Sequence, residues 1–352
     1  MPPAVDPARR FAATYEEARQ RFCAAVRAHP GFVDGGALEV GAGLTIDWGF
    51  TGDRDGERLL VYSSGLHGIE GYVGSAAQLH LLAEAEGTPT LWLHALNPFG
   101  MKHLRRVNEN NVDLNRNFLP PGEPYRADDA AYARLDPLLN PPRPPGLDLF
   151  WPTALYSLAR HGLATLRNVV ARGQYSFPRG IFYGGDSLQA GPGRLIELLA
   201  QQLPGKQRVM HIDLHTARGR PGEYVAFLEG SPPPEQLARG RAVFGPGLRV
   251  WAAGTKDGYD MRGGMLAELA RRFARPRFDG LTVEFGTASD LAILRALRLE
   301  NQLHFHGRGD AAPDHPAKLA MRRVFAPLDE GWQRRALSLT SEIGAKARAM
   351  LE

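Results

Sequence analysis

The chain has 352 residues, 43% hydrophobic and 23% charged, an ordinary globular balance with enough apolar material for a large core. Its single cysteine, Cys23, excludes an internal disulfide framework and any cysteine-cluster metal site. The net charge is +4, and its arginines are scattered in short clusters such as Arg105-Arg106, Arg271-Arg272 and Arg322-Arg323, unlike the dense basic stripe of a nucleic-acid binder.

Phe11, Tyr15, Ala18, Phe22 and Val26 recur near a 3.6-residue period and predict an amphipathic helix over 7–28, with Cys23 as a passive thiol within it. Residues 37–50 alternate and carry glycine, which predicts a strand and a turn. Leu59-Leu60-Val61-Tyr62 predicts a buried strand that opens into a loop at Ser63-Ser64-Gly65. A helix is expected over 73–86, then a strand over 91–96 that stops at Asn97-Pro98. The stretch 119–150 is rich in proline and acidic residues and reads as a long ordered excursion or lid. A helix is expected over 153–171, two further strands at 209–214 and 281–285, and a closing helix from 328 onward. Apolar strands separated by helical segments predict an α/β fold: a mixed, mostly parallel sheet flanked by helices on both faces. No repeat or clean linker divides the chain, so 1–352 reads as a single domain, with 119–180 as an insertion that walls the cleft. No stretch approaches the ~18 apolar residues of a membrane span, and MPPAVDPARRF has no apolar secretory core. The expectation is a soluble cytoplasmic protein with neither nucleic acid nor membrane as partner. The oligomeric state is not legible.

Ligands of open α/β sheets bind at the carboxyl ends of strands, and four such ends carry unusual residues. His67 and Glu70 leave the first strand three apart, and zinc accepts imidazole nitrogen together with carboxylate oxygen. Alone, the pair is a weak signal that arises often by chance, and a polar loop with a capping glutamate accounts for it. After the second strand, Asn97-Pro98-Phe99-Gly100 is followed by Arg105, Arg106 and the cluster Asp113-Leu114-Asn115-Arg116-Asn117. Arginine offers a planar fork for a carboxylate or polarised carbonyl. His215 ends the third strand and completes a possible His-Glu-His set, although a satisfied buried histidine has the same signature. His211, earlier in that strand, reads as structural and shares a face with Asp213 and His215 if the strand is regular. Glu284 ends a late apolar strand, where a carboxylate is costly unless it works or is paired. It suits a general base. His304 and His306 alternate as on a strand or loop near the cleft, without a third ligand. Gly184-Gly185 and Gly263-Gly264 are turn glycines, and Asp257 and Asp260 read as loop acids.

Together HGIE at 67–70, NPFGMKHLRRVNENNVDLNRNF at 97–118, DLHT at 213–216 and VEFGT at 283–287 resemble, in order, the motifs of the zinc carboxypeptidase family. The segments around Ile181-Phe182-Tyr183-Gly184-Gly185 and Leu303-His304-Phe305-His306-Gly307 look like a bacterial branch of it. The resemblance implies one zinc ion per chain held by His67, Glu70 and His215. It implies Glu284 as general base and then acid, and Arg106 as the group that polarises the scissile carbonyl. Asn115 and Arg116 resemble the pair that grips a terminal carboxylate, and Asp113 the carboxylate that orients the first zinc histidine. Tyr259 stands where that family has a substrate-capping tyrosine, with Tyr183 and Arg262 as competitors for substrate contact. The implied activity is zinc-dependent cleavage of an amide bond next to a free carboxylate, on a peptide or N-acyl amino acid. The sequence also resembles, more distantly, the aspartoacylase and succinylglutamate desuccinylase branch. That branch makes a deacylase of small N-acyl amino acids or modified metabolites the alternative. A zinc-binding protein without catalysis is the lesser reading, because no ligand or base is missing.

Overall fold

The computed structural model describes residues 6–41, 43–85, 87–146, 150–251, 261–307 and 312–352. In chain order these form α1 (Tyr15–Ala28), β1 (Phe32–Gly41), β2 (Leu44–Thr51), β3 (Arg58–Ser64), α2 (Gly71–Glu84), β4 (Thr90–His94) and α3 (Pro98–Lys102). Then come α4 (Ala130–Leu139), α5 (Phe150–His161), α6 (Leu163–Ala171), α7 (Ala190–Gln202), β5 (Arg208–Ala217) and β6 (Tyr224–Glu229). The chain closes with α8 (Pro234–Phe244), β7 (Arg249–Trp251), α9 (Met265–Arg272), β8 (Arg277–Gly286), α10 (Asp290–His306), α11 (Pro316–Phe325) and α12 (Glu330–Leu351).

The apolar runs singled out in the sequence are the middle of one eight-stranded sheet, ordered β1-β2-β4-β3-β5-β8-β6-β7. β4, β3, β5 and β8 run parallel, so their carboxyl ends share one edge. The β1–β2 hairpin joins antiparallel to β4, and β6 joins antiparallel to β8. Successive side chains of a strand face opposite ways, and here both faces are apolar. Leu60, Tyr62, Ile212 and Leu214 pack toward α1, α2 and α12, while Leu59, Val61, Leu91 and Leu93 pack toward α7 and α9. The fold is the mixed, mostly parallel sheet between helices that the sequence pattern predicts. No helix among the described residues is long and apolar enough to cross a membrane.

Local differences have local causes. The first helix begins at Tyr15, because the Thr14 side chain accepts from Glu17 N at 3.2 Å and caps it there. The helix expected over 153–171 is two helices, α5 and α6, parted by Gly162 at φ +74°. His304 and His306 lie in the last turn of α10 rather than on a strand or loop. The strands β6 and β7 had no distinct signal, being six and three residues long near one sheet edge.

Candidate functional site

The strand ends bring the candidate metal ligands together. Gly65, at φ +71°, turns the chain out of β3, and His67 caps a single 3-10 turn that carries Glu70. This turn packs backbone to backbone on the one that opens α3. A Cβ added to Gly68 would lie 2.1 Å from the carbonyl carbon of Gly100, so only glycine fits there. The 3-10 turn is also bonded to the segment that follows α3: Gly68 N donates to Arg106 O at 3.0 Å and Ile69 N to Arg105 O at 2.8 Å. The segment that carries Arg106 is thereby fixed to the segment that carries His67 and Glu70.

His67 Nδ1 lies 3.0 Å from Glu70 Oε1 and 3.1 Å from His215 Nδ1, and His215 Nδ1 lies 3.0 Å from Glu70 Oε2. All three residues are buried, and among the described residues they are the only three histidine, cysteine or acidic side chains so converged. On the far side of each ring stands an aspartate. His67 Nε2 is 3.2 Å from Asp113 Oδ1, and His215 Nε2 is 2.5 Å from Asp213 Oδ2. With an ion on the two Nδ1 atoms, the Nε2–H of His215 would go to Asp213 and that of His67 to Asp113; as the structure stands, His67 Nε2 also lies 2.7 Å from Arg106 Nη2, a donor. Two ring nitrogens and a carboxylate this close need a proton or a cation between them. Two nitrogens at ~2.05 Å on a tetrahedral zinc are ~3.3 Å apart, close to the separation here. The residues therefore fit a divalent metal of zinc type.

The electrostatics agree. Burial raises the Glu70 carboxyl, but the field of His67 and hydrogen bonds from His215 and His67 outweigh it and hold Glu70 below the usual carboxylate range. Burial likewise raises Asp113, and Arg106 and His67 outweigh it, so that Asp113 stays well below its ordinary value. Burial disfavours a charged His215, yet Asp213 and Glu70 raise its ring well above the ordinary histidine value. The surrounding carboxylates thus favour a cation or proton at the centre.

Asp213 has its own support. Ser63 Oγ donates to Asp213 Oδ1 at 2.6 Å, so its one hydrogen is used. It must therefore accept from His211 Nε2 at 2.7 Å. His211 is neutral, since burial pushes it down to about 4, and its Nδ1 lone pair has no partner. From sequence alone His211 reads as structural and Asp213 carries no assigned role. The regular strand β5 puts 211, 213 and 215 on one face, and that alternation was the available signal.

Glu284 pairs in register with His215 on the neighbouring strand, and its Oε2 accepts from Arg218 N at 3.3 Å. Burial and the negative charge of Glu70 push its carboxyl up to about 7. Arg106 donates to Asp113 Oδ2 from Nε at 3.1 Å and to Glu70 Oε1 from Nη1 at 3.2 Å. Its guanidinium stacks 5.3 Å from the ring of Phe182, a residue held at φ +59°. Glu284, Arg106, Arg116 and Phe182 line one cleft of about 170 Å³, whose other walls are mainly apolar residues of α6 and α10.

The remaining candidates are distributed differently. Arg116 lines the cleft, but it is buried, and its guanidinium donates to Ala171 O and, at 2.7 Å from Nη1, to Asn115 O. Asn115 lies behind it, its side-chain oxygen accepting from Met265 N at 2.9 Å at the start of α9. Gly263, at φ +71°, lies so close to Arg116 O that a Cβ there would be 2.3 Å away. Tyr183 packs in the core, its carbonyl accepting from Asp113 N at 2.7 Å, and its neighbour Phe182 takes the place on the cleft. Arg262 points away to Glu123 and Pro124 O and stacks on Tyr175. Tyr259, Asp257 and Asp260 fall in 252–260, outside the described residues.

The chain belongs to the family described as Protein of unknown function (DUF2817), whose model matches residues 11–339. No curated protein matches its sequence. Among solved structures it is similar to carboxypeptidase A from Helicoverpa armigera, at 14% identity over 97% of this chain and 74% of that one, with a TM-score of 0.52. It is also similar to thrombin activatable fibrinolysis inhibitor, at 10% identity over 99% of this chain and 76% of that one, with a TM-score of 0.54. At such identities the likeness is one of fold. The fold is carboxypeptidase-like, in line with the resemblance carried by HGIE, DLHT and the 97–118 segment.

Proposed function

We propose that this protein is a zinc-dependent hydrolase that cleaves an amide bond next to a free carboxylate, with one ion per chain. The observation that carries this reading is the convergence of His67, Glu70 and His215 beside Glu284 on a cleft that also holds Arg106 and Arg116. Zinc held by those three ligands would lower the pKa of water toward neutrality and polarise the scissile carbonyl. Glu284, poised near 7, takes the proton from the attacking water and returns it to the leaving amine. Arg106 is held by Asp113 and Glu70 at the rim of the metal centre, where it stabilises the oxyanion of the tetrahedral adduct. Arg116 supplies fixed positive charge for the substrate's carboxylate, with Asn115 keeping it in place and Tyr259 as a further substrate contact. Leu166, Val170, Ile293, Leu294 and Leu297 line the cleft, so the residue it accepts is apolar.

The cleft volume of about 170 Å³ and the wall formed by α6 favour a second reading within the same chemistry, a small N-acyl amino acid in place of a long peptide. The test is metal analysis of the purified protein alongside hydrolysis of N-acyl amino acids, N-blocked dipeptides and longer peptides, with and without chelator. One zinc per chain with chelator-sensitive release of a C-terminal apolar residue is the expected result. Release only from the acyl amino acids selects the second reading. Full zinc occupancy with no turnover on any substrate would count against a hydrolase.

A further inference from the structure

A second cavity, of about 470 Å³, lies between α4, α5, α6 and α10, and the residues that line it have an uneven charge. Arg134, Arg143, Arg160 and Arg298 border it, with the hydroxyls of Thr153, Tyr156 and Ser157, and no described acidic residue lines it. Arg134, Arg143 and Arg160 are exposed, and none has an ion pair with a described carboxylate. Some exposed arginines elsewhere have such partners, as Arg194 has Glu197 and Arg334 has Glu330, and others, such as Arg27, Arg126 and Arg220, do not; what sets the cavity's four arginines apart is that they border one concavity with no described acid among its lining. The walls between the arginines are apolar, with Leu135, Leu138, Phe150 and Val169. Leu166 of α6 lines both this cavity and the catalytic cleft, so the two are neighbours across one helix.

We propose that this cavity is an anion-binding subsite, separate from the metal centre, for a carboxylate or phosphate carried on an apolar body. Like charges gathered around one concavity repel one another, and an anion relieves this while the guanidinium forks bond its oxygens. The apolar walls add area for a hydrocarbon or aromatic portion, which a bare inorganic ion would leave unused. The site does not depend on the hydrolytic reading. In a hydrolase of the kind proposed above, it receives an acidic group of the substrate that lies beyond the scissile amide.

The test is calorimetric titration of the full chain at low ionic strength with 3-phenylpropionate, phenyl phosphate and inorganic phosphate. Three proteins are compared: the unmodified chain, the triple variant Arg134→Gln, Arg143→Gln, Arg160→Gln, and His67→Ala. The arginines are exposed, so the triple variant keeps its fold, checked by circular dichroism. Loss of these charge-assisted bonds should weaken the aromatic anions about tenfold or more. His67→Ala should bind them within about twofold of the unmodified chain, and added salt should weaken binding. Inorganic phosphate should bind more weakly than phenyl phosphate, for want of an apolar body. Three outcomes overturn the proposal: no binding of either aromatic anion, affinity unchanged in the triple variant, or binding abolished by His67→Ala. The last would place the anion in the catalytic cleft. A failed hydrolase assay would leave this titration unchanged.

Discussion

His67 and His215 are each held from behind by an aspartate, but the groups behind those aspartates differ. Asp113 is shared with Arg106, whose guanidinium reaches the cleft. Asp213 is shared with Ser63, and Ser63 with His211, and neither of these lines the cleft. In the proposed hydrolase the first arrangement would tie metal and substrate together, because one carboxylate would position a ligand and an oxyanion-binding arginine at once. The second would serve the metal alone, through a neutral hydroxyl and a neutral imidazole in the sheet interior. Two supports that look alike behind the histidines thus differ one group further out.

The largest effect should come from the residue outside both supports. Glu284→Gln is expected to keep zinc and lower turnover by about 10²- to 10⁴-fold. Near-normal turnover in the zinc-loaded variant would remove Glu284 as the base. The two aspartates give the direct contrast. Asp113→Asn and Asp213→Asn should each weaken zinc by about 10- to 100-fold in a competition with a chromophoric chelator. At saturating zinc, Asp213→Asn should recover most of its kcat, whereas Asp113→Asn should not, because Arg106 has lost a partner. Equal recovery by both variants would erase the distinction between them.

Ser63→Ala probes the next link and should weaken zinc by less than either aspartate change, by about tenfold at most, with kcat at saturating zinc unaltered. A change in kcat would mean that the rear support reaches the cleft after all. The smallest effect is on the pH profile. Glu284 works as a base only when ionised, and burial and Glu70 push it up to about 7. Activity should fall as pH drops through that region, and a bound cation draws the midpoint lower. An acidic limb of kcat/KM centred above 8 would be incompatible with Glu284 in this role.

Much of this was legible because the chemistry sits where apolar runs stop. His67, Glu70, His215 and Glu284 each follow or end a strand that the hydrophobic pattern marks, and the parallel sheet puts those ends on one edge. What was not legible depends on which neighbour a side chain meets. Phe182 and Tyr183 are adjacent aromatics, and only the positive φ of Phe182 decides that it, rather than Tyr183, stacks on Arg106. Arg116 and Arg262 look alike in sequence, yet one lines the cleft and the other is engaged by the 123–126 loop. The break at Gly162 was visible as a glycine, but its left-handed conformation was not.

The contact between Gly68 and Gly100 bears on how this centre can change over time or by design. The turn that holds His67 and Glu70 and the segment that carries Arg106 meet with no room for a methyl group and share backbone bonds. A transplant of the centre into another parallel sheet must carry both segments as a unit, with their glycines. Selection that retunes the arginine's position has to do so through side chains, because the backbone at that seam has no slack to give.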